Sequence, residues 1–120
     1  MDYTGLLQQT LKQVEGTFVV SFCGIDGLAV AHATYPLLPP NLQVGDAHVA
    51  TFVSHKRESL KQMGITGFTE DISITPMYVV LIRMINDDYF VSMVCSHVTD
   101  IKKARYYLYL LTNTLKKEIS

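Results

Sequence analysis

The spacing of apolar residues changes along this chain, and each change marks an element. Leu7, Leu11 and Val14 recur at steps of four and three, with Leu6 beside them and Gln8, Gln9, Lys12 and Gln13 elsewhere. That spacing predicts an amphipathic helix over residues 4–15, too short to persist unless it docks. Gly16 suits its end, because glycine takes the left-handed conformation cheaply. Two β-favouring runs follow, residues 17–23 and 28–33, separated by Gly24-Ile25-Asp26-Gly27. Asp-Gly between such runs is a strong hairpin signal. The stretch from Val14 to Ala33 is therefore read as helix end, strand, turn and strand, and the rest of the chain is arranged around it.

Residues 34–45 hold Pro36, Pro39 and Pro40, which forbid a regular helix or central strand. The apolar Tyr35, Leu37, Leu38 and Leu42 in this loop are expected either to fold back as a lid or to form a partner-binding loop. Asp46 is expected to cap a second helix over 46–63 that Gly64 ends. Its stripe is Val49, Val53, Lys56, Leu60 and Met63. Lys56 thus lies inside apolar positions, to snorkel out or to meet a carboxylate of another subunit. His48, Thr51, His55, Glu58 and Gln62 occupy the opposite side. Three strands follow, 69–74, 77–85 and 89–95, and the middle one is apolar on both faces, the mark of a strand covered twice. Arg83 within it is expected to reach solvent or a nearby carboxylate. A last helix starts near Thr99 or Asp100 and carries Ile101, Ala104, Leu108, Leu111, Leu115 and Ile119 on one stripe. Short sequential connections predict antiparallel pairing. The expected architecture is one domain, 1–120, of the α+β kind: a three-layer α/β/α sandwich on a five-stranded antiparallel sheet, in the order α-β-β-α-β-β-β-α.

Composition adds one point. The chain is 48% hydrophobic and 18% charged, richer in apolar groups than an average soluble domain. The surplus needs an unusually large core or a surface shared with a partner. Ten basic and eleven acidic residues give a net charge of -1, which argues against nucleic-acid or anionic-membrane binding. No apolar run has the length of a membrane span, and the first residues lack the basic start of a signal peptide. A cytoplasmic protein without membrane insertion is expected.

Candidate chemistry is sparse. Cys23 and Cys95 each sit in an apolar strand without a CxxC spacing, so they are expected to be reduced core thiols of raised pKa. His48 and His55 are two helical turns apart, and no HExxH is present. Cys23, Cys95 and His97 approach one another only if the first and fifth strands are neighbours; His32 closes the second strand. No glycine-rich turn leads into a helix to cradle phosphate. No catalytic residue, cofactor site or metal site is therefore expected, and the chain is not read as an enzyme. A small-molecule sensor of profilin or PAS type would need a polar-lined cavity, for which Ser21 and Ser92 are the core polar groups at hand.

This order of elements resembles the Roadblock family, the small profilin-like domain of dynein light chains, Ragulator subunits and bacterial gliding-motility GTPase regulators. The likeness is carried by the leading helix, Val14-Glu15-Gly16, Phe18 to Phe22, Asp26 to Ala31, the apolar hairpin 79–95 and Ala104-Arg105. Thr17, Lys102-Lys103 and the proline loop depart from the family pattern. The resemblance implies a homodimer in which the third strand pairs with its twin and the middle helices lie side by side. Thr69, Asp71, Ile72 and Ile74 of that strand, with Val49, Val53 and Lys56 of the helix, are then the expected interface. An unpaired edge strand and a two-fold contact agree with this on physical grounds. The resemblance also implies a non-catalytic module that binds and regulates a small Ras-like GTPase, met through His48, Thr51, His55 and Glu58. A scaffold subunit pairing with a different Roadblock-like chain is the alternative within the family.

Overall fold

The computed structural model describes residues 1–40, 42 and 45–119. Its elements are α1 (Tyr3–Gln13), β1 (Thr17–Gly24), β2 (Ala29–Thr34), α2 (Asp46–Gln62), β3 (Glu70–Ile74), β4 (Tyr78–Met84), β5 (Tyr89–Ser96) and α3 (Ile101–Ile119). The strands form one sheet in the order β2-β1-β5-β4-β3, antiparallel at every seam. β2 and β3 are its two edges.

Helices cover both faces, as the doubly apolar β4 requires. On one face Leu7 of α1, Val14 just past its end, and Ala104, Leu108, Leu111 and Leu115 of α3 pack on Val20, Phe22, Leu81 and Met93. On the other, Ala50 and Val53 of α2 close on Cys23, Ile82 and Phe90. β4 sends Val79 and Leu81 to the first core and Ile82 to the second, which is why neither of its faces reads polar. Full burial of such side chains contributes about 1.5–3 kcal/mol each.

The termini of the helices show where local chemistry departs from expectation. Asp2 caps α1, its Oδ1 accepting the Gly5 N–H at 2.9 Å, and the helix ends two residues earlier than its apolar stripe implied. Asp46 does not cap α2. Gly45, extended at φ -97° and ψ 127°, holds the cap position without a side-chain bond, and Asp46 lies one residue inside, where its charge still suits the helix dipole. Asp100 does cap α3, accepting from Lys102 N–H at 3.1 Å and Lys103 N–H at 3.3 Å. Tyr35, Leu37 and Leu38 do not form a lid: all three are exposed, and Leu42 is half-buried. Of the same loop, Asn41, Gln43 and Val44 lie outside the described residues.

Candidate functional site

β3 pairs with β4 from Glu70 opposite Arg83 to Ile74 opposite Val79, and among the described residues its other edge has no strand beside it. Two acidic residues fasten this edge strand to the layers above and below. Asp71 faces α2 and accepts from Lys56 Nζ at 2.7 Å and from Ser73 Oγ at 3.1 Å. Glu70 faces α3 and takes Arg105 Nε at 2.7 Å, Arg105 Nη2 at 3.1 Å and Arg83 Nη1 at 3.1 Å. The Arg105 hydrogen bond, seconded by the charges of both arginines, holds the Glu70 carboxyl below the usual glutamate range despite its partial burial. Glu70 in turn pushes Arg105 further up. Lys56 therefore meets a carboxylate of its own chain, and it also stands 5.3 Å over the Phe68 ring. Arg105 is one arm of a two-arginine clamp.

The expected interface residues divide into two sets. Val53 is 0% exposed in the single chain, packed into its own small core, so it has no surface to offer a partner. Lys56 and Asp71 are engaged with each other, and Ile72 packs at the margin of the main core. Ile74, 71% exposed, and Thr69 remain open, and Val49 is half-buried on the α2 side near Ser73. Sequence reasoning missed Phe52, which is 43% exposed. It lies three residues after Val49, so a wider apolar arc on α2 would have included it. His48, Val49, Phe52, Ser73, Val80 and Ile82 line a groove of about 230 Å³ between α2 and the β3 side of the sheet. His48, Thr51, His55 and Glu58 stand exposed along the outer side of α2. Arg57 on the same helix is anchored, its Nη1 donating to the Asp87 carbonyl at 2.8 Å.

Nucleophilic and metal chemistry find little support in the geometry. β1 and β5 are neighbours, but Cys23 pairs with Phe90 whereas Cys95 pairs with Thr17. The thiols lie at opposite ends of that seam and on opposite faces, one in each core. Burial first, then the carboxylates of Asp46 and Asp26, pushes the Cys23 thiol up to about 12. Burial likewise raises Cys95, against a 3.5 Å contact with the Thr17 hydroxyl. Among the described residues no three His, Cys, Asp or Glu side chains are placed to share an ion. The space beneath α2 is filled by apolar side chains. Ser21 is buried opposite Ser92 and leaves its Oγ without a partner. No helix among the described residues is long and apolar enough to cross a membrane.

No family model matches the sequence and no curated relative matches it significantly. Solved structures do match. The gliding protein MglB of Thermus thermophilus is 14% identical, over 96% of this chain and 86% of that one, with a TM-score of 0.84. A Roadblock/LC7 domain from Streptomyces avermitilis is also 14% identical, over 99% and 98%, with a TM-score of 0.81. The chain has the Roadblock fold. Its layering extends to profilin II of Acanthamoeba castellanii, 12% identical over 98% of both chains with a TM-score of 0.66. At such identities the fold is what is shared. In this Roadblock sandwich the β3 edge is flanked by exposed apolar side chains on both faces, Ile74 on the α3 side and Phe52 on the α2 side.

Proposed function

We propose that this chain is a non-catalytic interaction module that pairs with a second copy through β3 and α2, and that the paired module binds and regulates a small Ras-like GTPase. The observation that carries the reading is the β3 edge: a backbone row unpaired among the described residues, short but flanked by apolar side chains on each face, Ile74 on one and Val49 and Phe52 of α2 on the other. Such an edge is completed by another strand, and a twin supplies it with two-fold symmetry. The interface is revised from the sequence expectation: Thr69, Ile74, Val49 and Phe52 face the partner, while Val53, Lys56 and Asp71 hold the protomer together.

The GTPase assignment rests on the resemblance to gliding-motility regulators together with the open outer side of α2, where His48, Thr51, His55 and Glu58 offer donors and acceptors. With the accessible arginines Arg57 and Arg105 tied down in the chain, the module would act by positioning the switch residues of the GTPase itself. Retention of a Ras-like GTPase on immobilised protein, loaded with GTP or with GDP, tests this. Retention that differs between the two nucleotides supports the reading, and none with either overturns it.

A further inference from the structure

The outer face of α3 differs from those of the other helices. Its inner side is complete, with Ala104, Leu108, Leu111 and Leu115 buried. Yet Tyr106 is 56% and Tyr109 45% exposed, with Leu110 beside them at 39%, where α1 turns Gln8, Gln9 and Lys12 outward and α2 exposes Phe52 among polar residues. The tyrosines are held in place: Arg83 lies 5.0 Å over the Tyr109 ring, and Tyr106 meets Tyr107 edge to face at 5.4 Å. Charge is segregated here too. Of the ten basic residues of the chain, α3 carries Lys102, Lys103, Arg105, Lys116 and Lys117, against one acid, Glu118. Glu70 engages Arg83 and Arg105, whereas Lys102 and Lys103 make no ion pair among the described residues. Between α3 and β3 runs a groove of about 440 Å³, bounded by Thr69, Arg83, Lys102, Arg105, Tyr106 and Tyr109 with Glu70 at its base.

We propose that this face docks an acidic, aromatic-bearing segment of a partner protein. Its carboxylates would meet Lys102 and Lys103, and its apolar side chains would lie across Tyr106, Tyr109 and Leu110. Charge complementarity selects an anionic occupant. The groove between α3 and β3, with Arg83 and Tyr109 in its lining, suits an extended chain. Tyrosine lends itself to such a contact because it offers a large area for few rotatable bonds, and buried aromatic anchors dominate interface energetics. The face lies across the sheet from α2, so it is independent of the GTPase surface.

The test uses fluorescence anisotropy with a labelled copolymer of glutamate and tyrosine, with polyglutamate and phosphatidylserine-containing vesicles alongside. The copolymer is expected to bind, and polyglutamate to bind at least about tenfold more weakly, the share of one good anchor. Tyr106→Ser with Tyr109→Ser is expected to cost about tenfold or more, and so is Lys102→Glu with Lys103→Glu, with unfolding midpoints unchanged. Tyr106→Ser with Leu110→Ser, which spares the Arg83 contact, is expected to weaken binding as well. Four results each overturn the proposal: no binding of the copolymer, equal affinity for polyglutamate, indifference to the tyrosine substitutions, or vesicle binding that the same substitutions abolish. Unchanged solution mass and GTPase retention in these variants separate this face from the proposed module function.

Discussion

Gly16 shows how much one residue can fix. It sits at φ +88° between α1 and β1, its carbonyl accepts the Ser96 N–H at 2.8 Å, and a Cβ there would collide with Thr99 Oγ1. Thr99 Oγ1 itself donates to the Glu15 carbonyl at 3.3 Å, tying the start of α3 to the end of α1. Gly16→Ala therefore combines a left-handed backbone with a clash, and is expected to cost about 1–3 kcal/mol in urea unfolding. The cysteines make a second prediction at this scale. With Cys23 held protonated near 12 by burial and by Asp46, and Cys95 raised as well, neither thiol reacts at neutral pH while the chain is folded. A disulfide-exchange reagent is expected to titrate essentially no thiol in native protein and both once urea is added.

At the scale of elements, β3 depends on charge more than on apolar burial, because its residues are half-buried or exposed. The Glu70 clamp gives its seating a pH dependence of definite sign. The folded-state pKa of Glu70 lies below its unfolded value, so the folded chain gives up this proton more readily than the unfolded one. The stabilisation is whole above the ordinary glutamate pKa of about 4.3 and is lost as pH falls below it through the folded-state value. Urea midpoints measured downward from about pH 6 are expected to decline less steeply in Glu70→Gln than in the unaltered chain. The sequence led to a carboxylate as one partner for Arg83 but could not name Glu70 or bring in Arg105, since Glu70 lies 13 residues from Arg83 and 35 from Arg105, and only the β3–β4 register and the lie of α3 bring them together. What the sequence did reveal was periodic. Alternation and helical stripes located every strand and helix, and the doubly apolar 77–85 run implied a layer on each face. Caps escaped it where one residue decides, as with Gly45 in place of Asp46.

For the whole molecule the question is where the apolar surplus goes. Much of it is absorbed by two cores, one on each side of the sheet, yet Ile74, Phe52, Tyr106 and Tyr109 stay exposed. The sequence set Val49, Val53 and Lys56 of α2 in the expected contact; the opposite side, His48, Thr51, His55 and Glu58, is exposed as expected, but Val53 is buried within the chain, because one stripe cannot show which part of its arc rests on the sheet. Val53 and Ile74 now separate protomer from assembly. Val53→Asp places an unpaired charge against Ile82 and Phe90 and is expected to destabilise the folded chain by about 3 kcal/mol or more. Ile74→Glu removes little packing within the chain, so at protein concentrations low enough to keep the unaltered protein a single chain its unfolding free energy is expected to stay within about 0.5 kcal/mol of the unaltered value. In an antiparallel two-fold seam, however, it sets like charges near one another across paired edges. Sedimentation at micromolar concentration is then expected to find twice the 13.5 kDa chain mass for the unaltered protein and a single chain for Ile74→Glu. An unaltered protein that sediments as one chain even when concentrated would leave the β3 edge without its twin and remove the basis of the dimer.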